Sequence, residues 1–102
     1  MSSSSSSDKA RFLKALAFEI RRKRPAEEAM TECIEQEGRG GRHKAFRQAA
    51  AVLAEQGFVP ALLTADLIGE EAAVVLESLM MESDHRLLAG AIAGLAEFHE
   101  KQ

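Results

Sequence analysis

The chain has 102 residues, of which 46% are apolar and 5% aromatic, and its formal net charge is −3. That length fits one domain with a modest core. The single cysteine, Cys33, excludes an internal disulfide and points to a reducing compartment. The strongly apolar run Leu87–Ala96 is too short for the roughly 20 residues of a membrane-spanning helix.

Alanine, leucine, glutamate and arginine dominate, and all are good helix formers. No Val/Ile-rich stretch alternates with polar residues over the length of a strand. The expected fold is therefore all-α, a compact bundle of about six short helices. Met1 is followed by six serines, without the basic segment and apolar core of a signal peptide, so the expected location is the cytoplasm. The tract has no apolar side chain to bury and is expected to stay disordered. The plan is then a Ser-rich tail over 1–8 and a helical bundle over 9–102.

Asp8 is a candidate N-cap. Phe12, Leu13, Leu16, Ala17 and Ile20 recur at helical spacing and form one apolar face. Arg21, Arg22, Lys23 and Arg24 then fall at the negative end of that helix. Pro25 disfavours helix at Arg24 and suits the start of a second helix, with Glu27 and Glu28 in its positive first turn. That helix is expected to bury Ala26, Ala29, Met30, Cys33 and Ile34 and to stop at Gly38.

A turn through Gly38, Arg39, Gly40 and Gly41 leads to a third helix over 42–56. Phe46, Ala49, Ala50 and Leu53 share one of its faces, and Gly57 suits its C-terminal cap. Pro60 is expected to open a short fourth helix carrying Leu62, Leu63 and Leu67, ended by Gly69. A fifth spans 70–82 with Val75, Leu76, Leu79 and Met80 inward. Ser83 or Asp84 caps a sixth, which is expected to bury Leu87, Leu88, Ala91, Ile92, Leu95 and Phe98.

Charge divides the chain. Residues 9–47 hold eleven cations against six anions, a net of +5, and residues 48–102 hold two against nine, a net of −7. Such halves can attract each other within one fold or head to tail between copies, and they can steer a charged partner.

Nothing in the pattern reads as catalysis. His43, His85 and His99 have no histidine three or four residues away, and Cys33 is remote from them, so no metal site is expected. The glycines of Gly38–Arg39–Gly40–Gly41 follow no strand and precede no Gly-Lys-Ser/Thr, which makes them a turn rather than a phosphate loop. No cofactor is implied, and no enzyme fingerprint appears.

Gly90 and Gly94 lie four apart among alanines. Each costs a helix about 1 kcal/mol against alanine, so a close approach is expected to repay them. The expected approach is inside the bundle, with a subunit contact as the other reading. The basic cluster, with Arg39, Arg42 and Arg47, is what could grip a nucleic acid or an anionic membrane, but no aromatics interleave with it for base stacking.

The order of these pieces resembles the cytoplasmic domain of the type II secretion system protein F family, the inner-membrane platform proteins of secretion systems and type IV pili. Phe12-Leu13-Lys14-Ala15-Leu16-Ala17 and Arg24-Pro25-Ala26-Glu27-Glu28-Ala29-Met30 are similar to the family's opening, without a gap. Glu35-Gln36, then Ala54-Glu55-Gln56-Gly57, and finally Ile92, Leu95-Ala96-Glu97-Phe98 and Glu100 follow in the family's order. Lys23 stands where the family has glycine; a left-handed residue there costs lysine about 1–2 kcal/mol. Glu82–Arg86 replaces the family's glycine-bounded turn.

The resemblance implies a non-catalytic scaffolding domain at the cytoplasmic face of the inner membrane. Its implied partners are platform components, the motor ATPase or a second copy. Arg21, Arg22, Lys23, Arg24, Arg39, Arg42, Gly90 and Gly94 are the candidate contact residues. The alternative is a small polyanion-binding regulator that uses the basic half.

Overall fold

The computed structural model describes residues 6–38, 43–82 and 84–101. Among them are six helices and no strand: α1 (Ser6–Arg21), α2 (Ala26–Gly38), α3 (His43–Gln56), α4 (Phe58–Thr64), α5 (Glu70–Glu82) and α6 (His85–Glu100). The all-α reading and the order of the helices hold.

α1 and α6 form the spine and pack together along most of their length. They run antiparallel: Lys14 pairs with Glu100 at one end, and Arg21 and Lys23 lie beside Asp84, His85 and Arg86 at the other. α1 contributes Phe12, Leu13, Leu16 and Ile20, all essentially without solvent contact, and α6 contributes Leu88, Ala89, Ile92 and Ala96. Fully burying a side chain such as Phe, Leu or Ile contributes about 1.5–3 kcal/mol, so this seam is the main apolar term of the fold. Alanines at two of the four α6 positions let the helix axes approach closely, since axial distance follows side-chain size.

α2 and α3 close the core on another side. The Phe12 and Phe46 rings stack with centroids 5.1 Å apart and join α1 to α3. The short α4 inserts Phe58, Val59, Ala61 and Leu62 beneath them.

Helix boundaries differ from the sequence expectations where backbone chemistry decides them. α1 starts at Ser6, so Ser6 and Ser7 belong to the helix rather than the tail, and Asp8 sits in its first turn instead of capping it. A carboxylate there faces the positive end of the helix, and Asp8 also pairs with Arg11, one turn on. Pro25 precedes α2 and accepts the Ala29 N–H through its carbonyl at 2.9 Å. α4 starts at Phe58, two residues before Pro60. The first four N–H groups of a helix have no partner within it, so proline there costs no bond.

Gly57 joins α3 to α4 at φ 108° and ψ −172°, a region essentially reserved for glycine. Its N–H reaches back to the Val52 and Leu53 carbonyls, and its carbonyl accepts from Ala61. α4 ends at Thr64, with Ala65 as its cap, and not at Gly69. Asp66 is left-handed (φ 60°), with its N–H on the Leu63 carbonyl and the Leu67 N–H on the Leu62 carbonyl. That bond pattern satisfies the last carbonyls of a helix, and the buried Leu67 and Leu62 side chains flank it. Gly69 instead offers its carbonyl to Ala73 at the start of α5. Asp84 caps α6 as expected, accepting from the Arg86 and Leu87 N–H groups at 3.0 and 3.2 Å.

The two charge halves meet within the chain. Lys9 of α1 pairs with Asp66 at 3.0 Å, and Lys14 pairs with Glu100. The His99 ring bonds the Leu67 carbonyl at 2.9 Å, so α1 and α6 both hold the turn after α4.

Candidate interaction surfaces

The sequence presents Arg21–Arg24 as one basic cluster, and the structure divides it. α1 ends at Arg21, and Lys23 takes a left-handed conformation (φ 70°) with its N–H on the Ile20 carbonyl at 2.9 Å. The turn between α1 and α2 is therefore left-handed, and a lysine occupies it. The reversal sends Arg24 back across the junction. Its Nη1 meets Glu19 Oε1 at 3.1 Å, and its Nη2 meets Glu28 at 3.4 Å and also Glu32. Hydrogen bonds to Glu32, then Glu19 and Glu28, raise the guanidinium pKa above its ordinary value. Arg24 is thus a clasp between the last turn of α1 and the first turns of α2, with its donors already engaged.

Arg21, Arg22 and Lys23 remain exposed. The Arg22 guanidinium lies over the exposed Phe18 ring, 5.7 Å from its centroid. Arg21 and Lys23 line a hollow with Arg86 and His85, but Glu82 and Asp84 line it as well. The field there is mixed, not uniformly basic. Arg39 and Arg42 lie outside the described residues.

Gly90 and Gly94 overturn the expectation of packing inside the bundle. Both are exposed, and a Cβ built on either meets nothing within 4 Å. The close packing of α6 comes from Ala89 and Ala96 on the opposite side. The glycines lie on an outer face of α6 that also carries Leu87 and Phe98, which are 50% and 60% exposed. Both of those side chains were expected inside. The buried arc of α6 is centred on Leu88, Ala89, Ile92 and Ala96, and Leu87 and Phe98 fall outside it.

α5 shows the same departure. It buries only Ala73 and Leu76 fully, while Val74, Val75 and Met81 are exposed, Met81 at 87%. Val75 was expected inward. Apolar residues lie all around this helix, so spacing alone does not say which arc finds cover. Leu63 of α4 is also on the surface. Most of the large exposed apolar side chains therefore belong to α5 and α6.

Cys33 is buried, and among the described residues no group of three or more His, Cys, Asp or Glu side chains is placed to hold a metal ion. No described helix is long and apolar enough to cross a membrane.

No protein-family model, curated protein or solved structure matches this chain.

Proposed function

We propose that the chain is a non-catalytic protein-interaction domain that holds partner proteins in a fixed geometry. The observation that carries this reading is the outer surface of α5 and α6. Val74, Val75, Met81, Leu87 and Phe98 are all at least half exposed on two consecutive helices. Exposed apolar side chains gathered on neighbouring elements mark contact surfaces more often than scattered single ones do.

The resemblance to the platform proteins of type II secretion and type IV pili supplies the class of partner: platform components or the motor ATPase, at the cytoplasmic face of the inner membrane. The left-handed turn at Lys23 agrees with it, because the family's glycine at that place suits the same conformation. Arg21, Arg22 and Lys23 are rim charges in this reading, contributing on-rate and orientation more than affinity.

The test is capture of partners by the tagged chain from lysate of its source organism, at low and at high salt. Bound proteins are identified by mass spectrometry and bound nucleic acid is assayed. Secretion or pilus proteins retained at high salt are the expected outcome. Nucleic acid bound at low salt and lost at high salt, with no such proteins, would replace this reading with polyanion binding.

A further inference from the structure

The outer faces of α1 and α5 are complementary in charge and alike in layout. On α1 the solvent side carries Phe18, 58% exposed, with Lys14 and Arg21 along one flank and Arg11, continued by Arg22 of the following turn, along the other. No exposed acid lies on that helix. On α5 the solvent side carries Val74 and Met81, with Glu70 and Glu77 along one flank and Glu71 and Glu82 along the other. No cation lies on that helix, and none of its four glutamates has an ion-pair partner among the described residues. Arg21 likewise has no acid within ion-pairing distance among them, though it shares a hollow with Glu82 and Asp84, while Arg11 and Lys14 are held at the rim by Asp8 and Glu100.

Both faces are thus an apolar centre between two like-charged edges, and the signs are opposite. Within one molecule α1 and α5 are not packed together: α1 is occupied by α6 and α2, and α5 by α4 and α6. We propose that the outer face of α5 docks the outer face of α1 of a second copy of this chain. Phe18 packs against Val74 and Met81, and arginines and lysines meet glutamates along both edges. This deepens the protein-binding reading and rests on it, by naming a partner.

The contact has two physical consequences. A single pair of short helices buries less than the roughly 1,200 Å² of a stable interface, so association is weak and depends on concentration. The two faces differ, so each contact leaves a free α5 at one end and a free α1 at the other. Assembly then continues head to tail unless the geometry closes.

The test is sedimentation velocity of the full chain from micromolar to millimolar concentration. The mass should rise above the 11.1 kDa of the monomer as concentration rises. It should fall back towards the monomer at about 1 M salt, where the screening length shrinks to about 3 Å. Arg21→Glu with Arg22→Glu on α1, and Glu77→Lys with Met81→Lys on α5, should each weaken association by roughly tenfold or more through like-charge contact. All four side chains are exposed, and circular dichroism checks that each variant is folded. Mixing the two variants should restore association, because one keeps a working α1 face and the other a working α5 face. A monomer at every concentration would overturn the proposal. So would association that survives in either variant, or a mixture that stays monomeric. A monomer that still captures secretion or pilus proteins would remove self-association and leave the protein-binding reading standing.

Discussion

Arg24 and Glu19 face each other across the turn between α1 and α2, with Nη1 of the arginine 3.1 Å from Oε1 of the glutamate. Glu28 and Glu32 approach the same guanidinium from α2. Three carboxylates converge on one cation, so its removal leaves three like charges facing one another. Arg24→Ala is expected to lower the melting temperature, and the loss should shrink as salt screens the glutamates. Arg24→Lys should recover only part of it, because an ammonium group lacks the planar fork of donors that reaches several carboxylates at once. Thermal melts of the three proteins at low and high salt check both statements.

Lys23 holds a conformation that favours glycine. Its φ of 70° places Cβ against the following carbonyl, and the side chain is exposed, with no ion pair among the described residues that offsets the strain. Lys23→Gly is therefore expected to stabilise the fold by about 1 kcal/mol, read from chemical denaturation.

Gly57 presents the opposite case. Nothing lies within 4 Å of a Cβ built there, so there is room for a side chain. The backbone nevertheless forbids one, at φ 108° and ψ −172°. Gly57→Ala and Gly57→Ser are both expected to cost about 1–3 kcal/mol, by similar amounts, because the strain lies in the main chain. Urea denaturation of the two variants measures it.

Gly90 and Gly94 distinguish packing from exposure. Both are inside α6, on its outer side, with open space around them. Replacing both by alanine is expected to stabilise the monomer by about 1 kcal/mol per site, the ordinary helix propensity difference. A loss of stability would mean that another surface approaches these glycines closely. Denaturation at several protein concentrations would show whether that surface belongs to a second copy.

Much of the bundle was legible in the chain, for reasons that lie in particular residues. The spacing of Phe12, Leu13, Leu16 and Ile20 marks one narrow apolar arc on α1, and that arc is the buried one. Asp84 can cap a helix because its carboxylate accepts two of the free N–H groups, and it does so. Gly57 is readable as the break after α3, although it takes φ 108° and ψ −172° and caps the start of α4 rather than adopting the left-handed conformation expected of a C-terminal cap. The failures also have causes. α5 is apolar around most of its circumference, so spacing does not separate buried Leu76 from exposed Val75 and Met81. Gly90 and Gly94 resemble a packing motif, yet which side of α6 meets α1 depends on the whole set of Leu88, Ala89, Ile92 and Ala96.

What the amino-acid sequence determined by itself was local: the helices, most of their ends, the all-α class and the division of charge between the two halves. These follow from hydrogen bonds, dihedral preferences and apolar periods that act within a few residues. The tertiary structure alone decided which arcs are covered and which charges are free. It withdrew Arg24 from a basic cluster by bringing it to Glu19, Glu28 and Glu32. It left Phe18 among cations on α1, and Val74 and Met81 among anions on α5, facing solvent. The physical reason is that burial and ion pairing depend on distances between distant parts of the chain, and those exist only once the helices have packed.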